Sequence, residues 1–343
     1  MTVSNQSPLW ISEADVVSMM DMREAVAALE KGLLCEAQGD AQNMVKTHVE
    51  WGEGSTLHAI GSVFPKSGFA GTKTWPHTKN GATPLLILFD SNNGSLKAVI
   101  EAFALGQMRT AGASGVATQW LAAAGADEFA IIGTGKQAIT QVAAVLAVRT
   151  IRRIRVFGRN EERLNQFAAR VRTEFGVETV ASASVREAVR GAAIITVVTR
   201  AREPILSADM IERGAHINSV GAIVPSRAEV AADVMARSTQ IVTDSVPQAQ
   251  KLSRELIEFF GRDAEKWSTV RSLASLAASR RPRASGDDLT LFKSLGMGIS
   301  DLSLGIELYK KAIDSGLGHK FPHPQKVTPR LRSTPPGKGV AGG

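Results

Sequence analysis

The segment Ala130-Ile131-Ile132-Gly133-Thr134-Gly135-Lys136-Gln137-Ala138 is an apolar run that ends in GxGxxA and continues into a helix-compatible stretch. Each small residue has a physical task at this spacing. Gly133 permits a tight turn, Gly135 lets a pyrophosphate approach the backbone at a helix N-terminus, and Ala138 lets that helix lie close on the strand. Thr134, Lys136 and Gln137 complete the loop, so the whole segment is a candidate dinucleotide cradle. A second informative position follows in Val156-Phe157-Gly158-Arg159-Asn160. There a carboxylate would hold the ribose 2′-hydroxyl of NAD, whereas an arginine would accommodate the 2′-phosphate of NADP. No acid precedes Glu161, and Arg159 and Asn160 stand at the reading positions, so NADP(H) is preferred, with NAD(H) the alternative. The six histidines and one cysteine show no HExxH or CxxC spacing, so no metal is expected, and no GxSxG or Cys/His pattern points to a hydrolase.

The elements that must position this loop can be read from periodicity. From Glu128 to Asp244, short apolar runs at 128–133, 153–157, 177–180, 193–198, 215–220 and 240–244 are separated mostly by helix-length segments. That rhythm predicts an α/β domain with a doubly wound parallel sheet, its glycine loop after the first strand. Asn160 and the pair Ser184/Glu187 supply helix starts. The preceding region reads as α+β. Ser12 and Asp21 are placed to cap helices, Asp21 with Glu24 has capping-box spacing, and Val26, Leu29 and Leu33 recur at helical spacing until Gly39. Thr47 to Trp51 with Thr56 to Phe64, and Leu85 to Phe89 with Leu96 to Ile100, flank turn sequences and suit antiparallel hairpins. A last segment from Leu289 is expected to return to this first domain.

Composition narrows the class. Hydrophobic residues make up 44% and charged residues 21%, as in ordinary globular chains, and no apolar run approaches the roughly 18 residues of a membrane span. The N-terminal sequence lacks the pattern of a secretory signal and Cys35 is the single cysteine, so a cytoplasmic setting is expected. The net charge of +7 is no nucleic-acid footprint: five basic residues and no acid lie in 319–343, leaving 35 basic residues against 33 acids elsewhere. With five prolines, 319–343 reads as a disordered tail. Neither nucleic acid nor membrane is an expected partner.

Met108-Arg109-Thr110-Ala111-Gly112-Ala113-Ser114 resembles the RTAxxS-type segment of the ornithine cyclodeaminase and μ-crystallin family, in which it opens a helix leading into the nucleotide domain. Other family pieces follow in order: Gly71-Thr72-Lys73, the Gly133 loop, Ile217-Asn218-Ser219-Val220-Gly221 with Pro225 and Glu229, Thr243-Asp244, and Leu291-Phe292-Lys293-Ser294-Leu295-Gly296 followed by Asp301. The resemblance covers roughly residues 10 to 315 and is closest to its imine reductase-like branch. It implies a Rossmann domain at 116–299 and a discontinuous α+β substrate-binding and dimerisation domain at 1–115 and 300–318. A homodimer acting on small α-imino or α-amino acids is implied with it.

By the same resemblance, Arg109 binds the substrate carboxylate and Lys73 contacts the substrate and donates protons, these two being the expected catalytic residues. Lys46 is the nearest candidate for a second carboxylate-gripping group, and His77, with Lys79, could line the cleft. Thr110, Ser114, Val220, Gly221, Ser294 and Gly296 are expected around the cofactor. Ornithine cyclodeaminases carry an aspartate two residues after the glycine of the NAxG segment, where this chain has Ile223, a side chain that cannot hold an ammonium. The expected activity is therefore NAD(P)H-dependent reduction of a ketimine such as Δ1-pyrroline-2-carboxylate or Δ1-piperideine-2-carboxylate, with iminosuccinate or the imine of pyruvate as acyclic candidates. A cyclodeaminase that recycles NAD and a non-catalytic NADP-dependent ligand-binding protein are the alternatives.

Overall fold

Two β-sheets carry the chain in the computed structural model, which describes residues 7–331. The first contains β1 (Leu9–Ile11), β2 (Gln42–Asn43), β3 (Thr47–Trp51), β4 (Ser55–Phe64), β5 (Phe69–Thr78), β6 (Gly81–Ala82), β7 (Leu85–Asp90) and β8 (Leu96–Glu101). Its main path runs β1-β8-β7-β5-β4-β2, with β3 beside β4 and β6 beside β5. Both expected hairpins form: β3 pairs antiparallel with β4, and β7 with β8. Helix α1 (Glu13–Met19) begins at a capping box between Ser12 and Asp15, and α2 (Met22–Ala37) at one between Asp21 and Glu24. Leu29 and Leu33 of α2 are fully buried in the core beneath this sheet.

The second sheet contains β9 (Glu128–Ile132), β10 (Arg153–Phe157), β11 (Glu178–Ala181), β12 (Ile194–Val197), β13 (His216–Ser219), β14 (Ser238–Thr243), β15 (Arg271–Ser272) and β16 (Leu289–Lys293). Its order is β11-β10-β9-β12-β13-β16-β14-β15, and every pairing is parallel. This is the doubly wound domain, with the chain reversing direction across the sheet between β9 and β12, where such folds bind ligands. Apolar neighbours on one strand feed opposite cores: Ile132 packs on one face and Ile131 on the other. Burial on both faces is why these strands read as continuous apolar runs.

Three sequence expectations change. Leu289–Lys293 does not return at once to the first domain; it is a strand inserted between β13 and β14, and only the following helix, Gly298–Ser315, crosses back to pack on α2 and β4. A fully buried five-residue run carries no mark of which sheet will take it. The proposed disordered tail begins with order. His319–Lys320 forms β17, antiparallel to β1, and the Phe321 amide donates to the Pro8 carbonyl at 3.1 Å. A sheet edge recruits backbone groups whatever the side chains, so composition could not reveal it; residues 332–343 lie outside the described residues. Third, the RTAxxS segment does not open its helix: α3 spans Phe103–Leu121, starting where the Glu13 carboxylate accepts from the Phe103 and Ala104 amides. Arg109 consequently lies two turns inside α3, near the first sheet. At the far end of α3, Thr118 accepts from Asn218 of β13 at 3.0 Å. One helix thus spans both sheets.

Candidate active site

The glycine loop leaves β9 and enters α4 (Ala138–Val148). At Gly133 φ is +114° and a Cβ would stand 2.5 Å from the Val198 carbonyl oxygen, so only glycine fits the turn. A Cβ on Gly135 would meet nothing within 4 Å, leaving open space in front of the helix N-terminus. Ala138 is fully buried under the strand. The Gln137 Oε1 and Ser114 Oγ atoms are buried without a hydrogen-bond partner beside this opening and on α3, respectively. An open cradle of backbone amides at a helix N-terminus fits a pyrophosphate. At the end of β10, Arg159 and Asn160 are exposed; the Asn160 side-chain Oδ1 caps α5 (Glu161–Phe175) by accepting from the Arg163 amide at 2.9 Å. Thr134 lies against Gly158, where a Cβ would come within 2.9 Å of it.

A second constellation lies where the two sheets meet. Alternation along β5 turns Phe69, Gly71 and Lys73 inward, which places a lysine where a core residue would be expected. Its ammonium pairs with Oδ1 of Asp301, from the Gly298–Ser315 helix, and Arg109 Nε lies 3.3 Å from the same oxygen. Asp301 is delivered by a close approach. A Cβ on Gly298 would come within 1.9 Å of the Gly61 carbonyl oxygen, so this helix can abut β4 only with glycine there. The Asn43 side chain caps the same turn, accepting from the Ile299 amide at 2.9 Å. Burial pushes Lys73 down to about 8; Asp301 opposes that shift, and Arg109 and Lys46 add to it. Lys46, in the loop before β3, is also lowered by burial and by Arg109, while Asp244 and Asp301 oppose. Lys73 and Arg109 therefore share one oxygen of Asp301 with Lys46 nearby, and Asp301 Oδ2 has no hydrogen-bond partner.

Asp244, at the end of β14, fixes the loop that links the two constellations. Its carboxylate accepts from Ser294 Oγ at 3.0 Å and from the amides of Leu295 and Gly296 at 2.9 and 2.7 Å. A Cβ on Gly296 would lie 3.0 Å from an Arg109 terminal nitrogen, so the loop passes directly beneath the guanidinium. Glu229 does the same for the loops after β12 and β13. It accepts from the Thr199 amide and hydroxyl at 2.6 and 2.9 Å, and from the amides of Gly221 and Ala222 at 2.7 and 3.1 Å.

Of the residues expected from sequence, Lys73, Arg109 and Lys46 share one charged cluster. Gly133 to Ala138, Val220 and Gly221 border the crevice at the strand ends. The Ser294 hydroxyl and the Gly296 amide are committed to Asp244, with Gly296 beside Arg109, while the Thr110 hydroxyl donates to the Gly106 carbonyl at 2.9 Å. His77 is exposed, two residues beyond Trp75 on β5. Asp301 and Asp244 went unassigned. The available signal for Asp301 was an acid flanked by apolar residues in Gly298-Ile299-Ser300-Asp301-Leu302, which demands a buried partner.

A doubly wound sheet with a pyrophosphate cradle, facing a buried lysine and a half-buried arginine, defines a nicotinamide-dependent oxidoreductase. The chain belongs to the ornithine cyclodeaminase/mu-crystallin family, whose profile matches residues 7–316. It is 31% identical over 271 residues to a Delta(1)-pyrroline-2-carboxylate reductase of Bacillus cereus, covering 77% of this chain and 81% of that one. Among solved structures it is similar to the Delta(1)-pyrroline-2-carboxylate reductase of Thermococcus litoralis in complex with NADH and L-proline. The TM-score is 0.85 at 28% identity, covering 91% of this chain and all of that one. An archaeal alanine dehydrogenase dimer with bound NAD gives a TM-score of 0.84 at 26% identity, covering 92% and 99%.

Proposed function

We propose that this protein reduces the C=N bond of small α-imino acids, with a cyclic ketimine such as Δ1-pyrroline-2-carboxylate or Δ1-piperideine-2-carboxylate as substrate. The observation that carries the reading is the cluster in which Lys73 and Arg109 share one oxygen of Asp301 with Lys46 nearby. A substrate carboxylate is the anion such a group of cations receives. Arg109 offers it a planar fork and Lys46 a point charge. With the carboxylate held, the adjacent imine nitrogen comes within reach of Lys73, which donates a hydrogen bond or proton and makes the imine carbon the better acceptor. A bound dihydronicotinamide supplies the hydride. The Gly133 loop would hold its pyrophosphate, and the loops fixed by Glu229 and Asp244 border the cleft. Half-buried Ile223 offers no group to hold a second amine, which argues against ornithine cyclisation.

The direct test is oxidation of NADPH or NADH by the purified protein with Δ1-pyrroline-2-carboxylate. Turnover is expected; ammonia release from ornithine with no imine turnover would replace the proposal by the lyase. We also propose NADPH as the preferred cofactor, through Arg159. Arg159→Ala should narrow the NADPH:NADH ratio of kcat/KM about three- to tenfold, a small effect because the residue is exposed. A homodimer fits the first sheet's outer face, where Met44, Val63, Ala70, Thr72 and Phe89 border a groove of about 360 Å³ on the side away from Lys73.

A further inference from the structure

A ladder of flat rings leads from the Lys73 ammonium across the end of the first sheet. Trp75 follows Lys73 by two residues on β5, hence on the same face, and the ammonium lies over its ring, 5.0 Å from the centroid. His58 of β4 pairs in register with Trp75, their rings 4.8 Å apart and inclined by 19°. His48 of β3 pairs in turn with His58, at 5.5 Å and 25°. Exposure rises along this row, from buried Lys73 through half-buried Trp75 and His58 to exposed His48. Trp75 lies outside the hydrophobic core clusters, so filling the interior does not account for it.

The charges say what such a wall can receive. The cluster beside it, Lys73, Arg109 and Lys46 about Asp301, takes a single carboxylate in the proposed reaction. His58 adds none: burial first, then Lys46, His48 and His77, pushes it down to about 4, so it is neutral at physiological pH. A second carboxylate laid against the indole would meet the negative face of its π-system, whereas a protonated imine ring is a flat cation that this face attracts. A nitrogen hydrogen-bonded to Lys73 sits about 2.9 Å from Nζ, accepting from the ammonium before the proton moves and donating to the neutral amine once the ring is the cation, which brings the ring atoms attached to it within contact range of the indole.

We propose that Trp75, backed by His58, is the specificity-determining surface against which the ring of a cyclic, monocarboxylic imino acid lies while Lys73 reaches its nitrogen. The inference rests on the imine-reductase reading and adds the choice among imines. An acyclic imine of pyruvate has only a methyl group to place there, and iminosuccinate would turn its second carboxylate toward the ring.

The test compares kcat/KM for Δ1-pyrroline-2-carboxylate, for pyruvate with ammonia and for oxaloacetate with ammonia, in the wild type, Trp75→Ala and Trp75→Phe. The cyclic imine should be the best wild-type substrate. Trp75→Ala should lose about tenfold or more on it, and less than about threefold on pyruvate with ammonia, while Trp75→Phe stays close to wild type. Equal losses on both substrates, or a wild-type preference for the dicarboxylate, would overturn the assignment. Binding gives a readout independent of turnover: pyrrole-2-carboxylate, added with NADP present, should quench indole fluorescence in the wild type and not in Trp75→Phe. Quenching without turnover of any imine would refute the reductase reading while leaving the ring surface in place. Turnover without Trp75-dependent quenching or selectivity would refute the ring surface alone.

Discussion

Among the described residues, two lysines are buried beside carboxylates, and their surroundings differ in one respect. Lys293, fully buried, donates to Ser219 Oγ at 3.0 Å and pairs with Glu255 at 2.9 Å. The other Glu255 oxygen accepts from the Glu229 amide at 2.8 Å, and Glu229 in turn holds the loops after β12 and β13. Around Lys73, by contrast, one oxygen of Asp301 serves both Lys73 and Arg109, the other serves no group, and Lys46 adds a further positive charge. The first network is closed by the protein itself, so it fixes loops. The second is not closed by the protein, and that opening is where the proposed substrate is placed. Burial alone does not make a lysine chemically useful; an unfilled place beside it does.

Exchanging each lysine for methionine separates the two roles. Lys73→Met should lower kcat by about 10²- to 10⁴-fold, the usual worth of a positioned acid, with cofactor affinity little changed and a smaller stability loss than at Lys293, because Arg109 still pairs with Asp301. A Tm loss with residual activity intact would reverse the assignment of the clusters. Lys293→Met should instead cost about 3–5 kcal/mol of unfolding free energy, because Glu255 stays buried without its partner. Denaturant titration measures this, and an unchanged midpoint would show that Lys293 is dispensable to the closed network. The smallest and sharpest effect is on pH. Since Lys73 donates only while protonated and burial has brought it down to about 8, kcat/KM should be flat just below that value and fall about tenfold per unit well above it. A profile level to pH 10 would mean that Lys73 positions substrate without giving up a proton.

Legibility in the sequence followed how local each cause was. The Gly133 loop, the helix caps at Ser12 and Asp21 and both hairpins depend on neighbours a few residues away, and they were readable. So were the six strand runs from 128 to 244, because parallel strands covered on both faces are uniformly apolar. The family motifs brought Lys73 and Arg109 forward without showing why they meet. Asp301 completes that meeting from 228 residues beyond Lys73, through a helix that Gly298 lets abut β4, and no periodicity reports such an approach. Trp75 is similarly silent: on a strand an aromatic residue is ordinary, and only the register with His58 makes it one face of a row. His319–Lys320 was missed for the opposite reason, since a sheet edge takes up backbone rather than side-chain pattern.

The crossing of the Gly298–Ser315 helix back onto the first sheet also sets an order of events during synthesis. Leu302 and Leu304 of that helix belong to the same core as Leu29, Leu86 and Ile100, so a ribosome that has translated the first hundred residues has produced a sheet whose inner side cannot yet be covered. Nearly two hundred more residues must emerge before it can close. The doubly wound sheet waits on the same stretch, because β16 enters its middle from residues 289–293. Nascent chains shorter than about residue 315 therefore leave apolar surface of this core uncovered. Premature termination anywhere before the last helix should yield no active fragment.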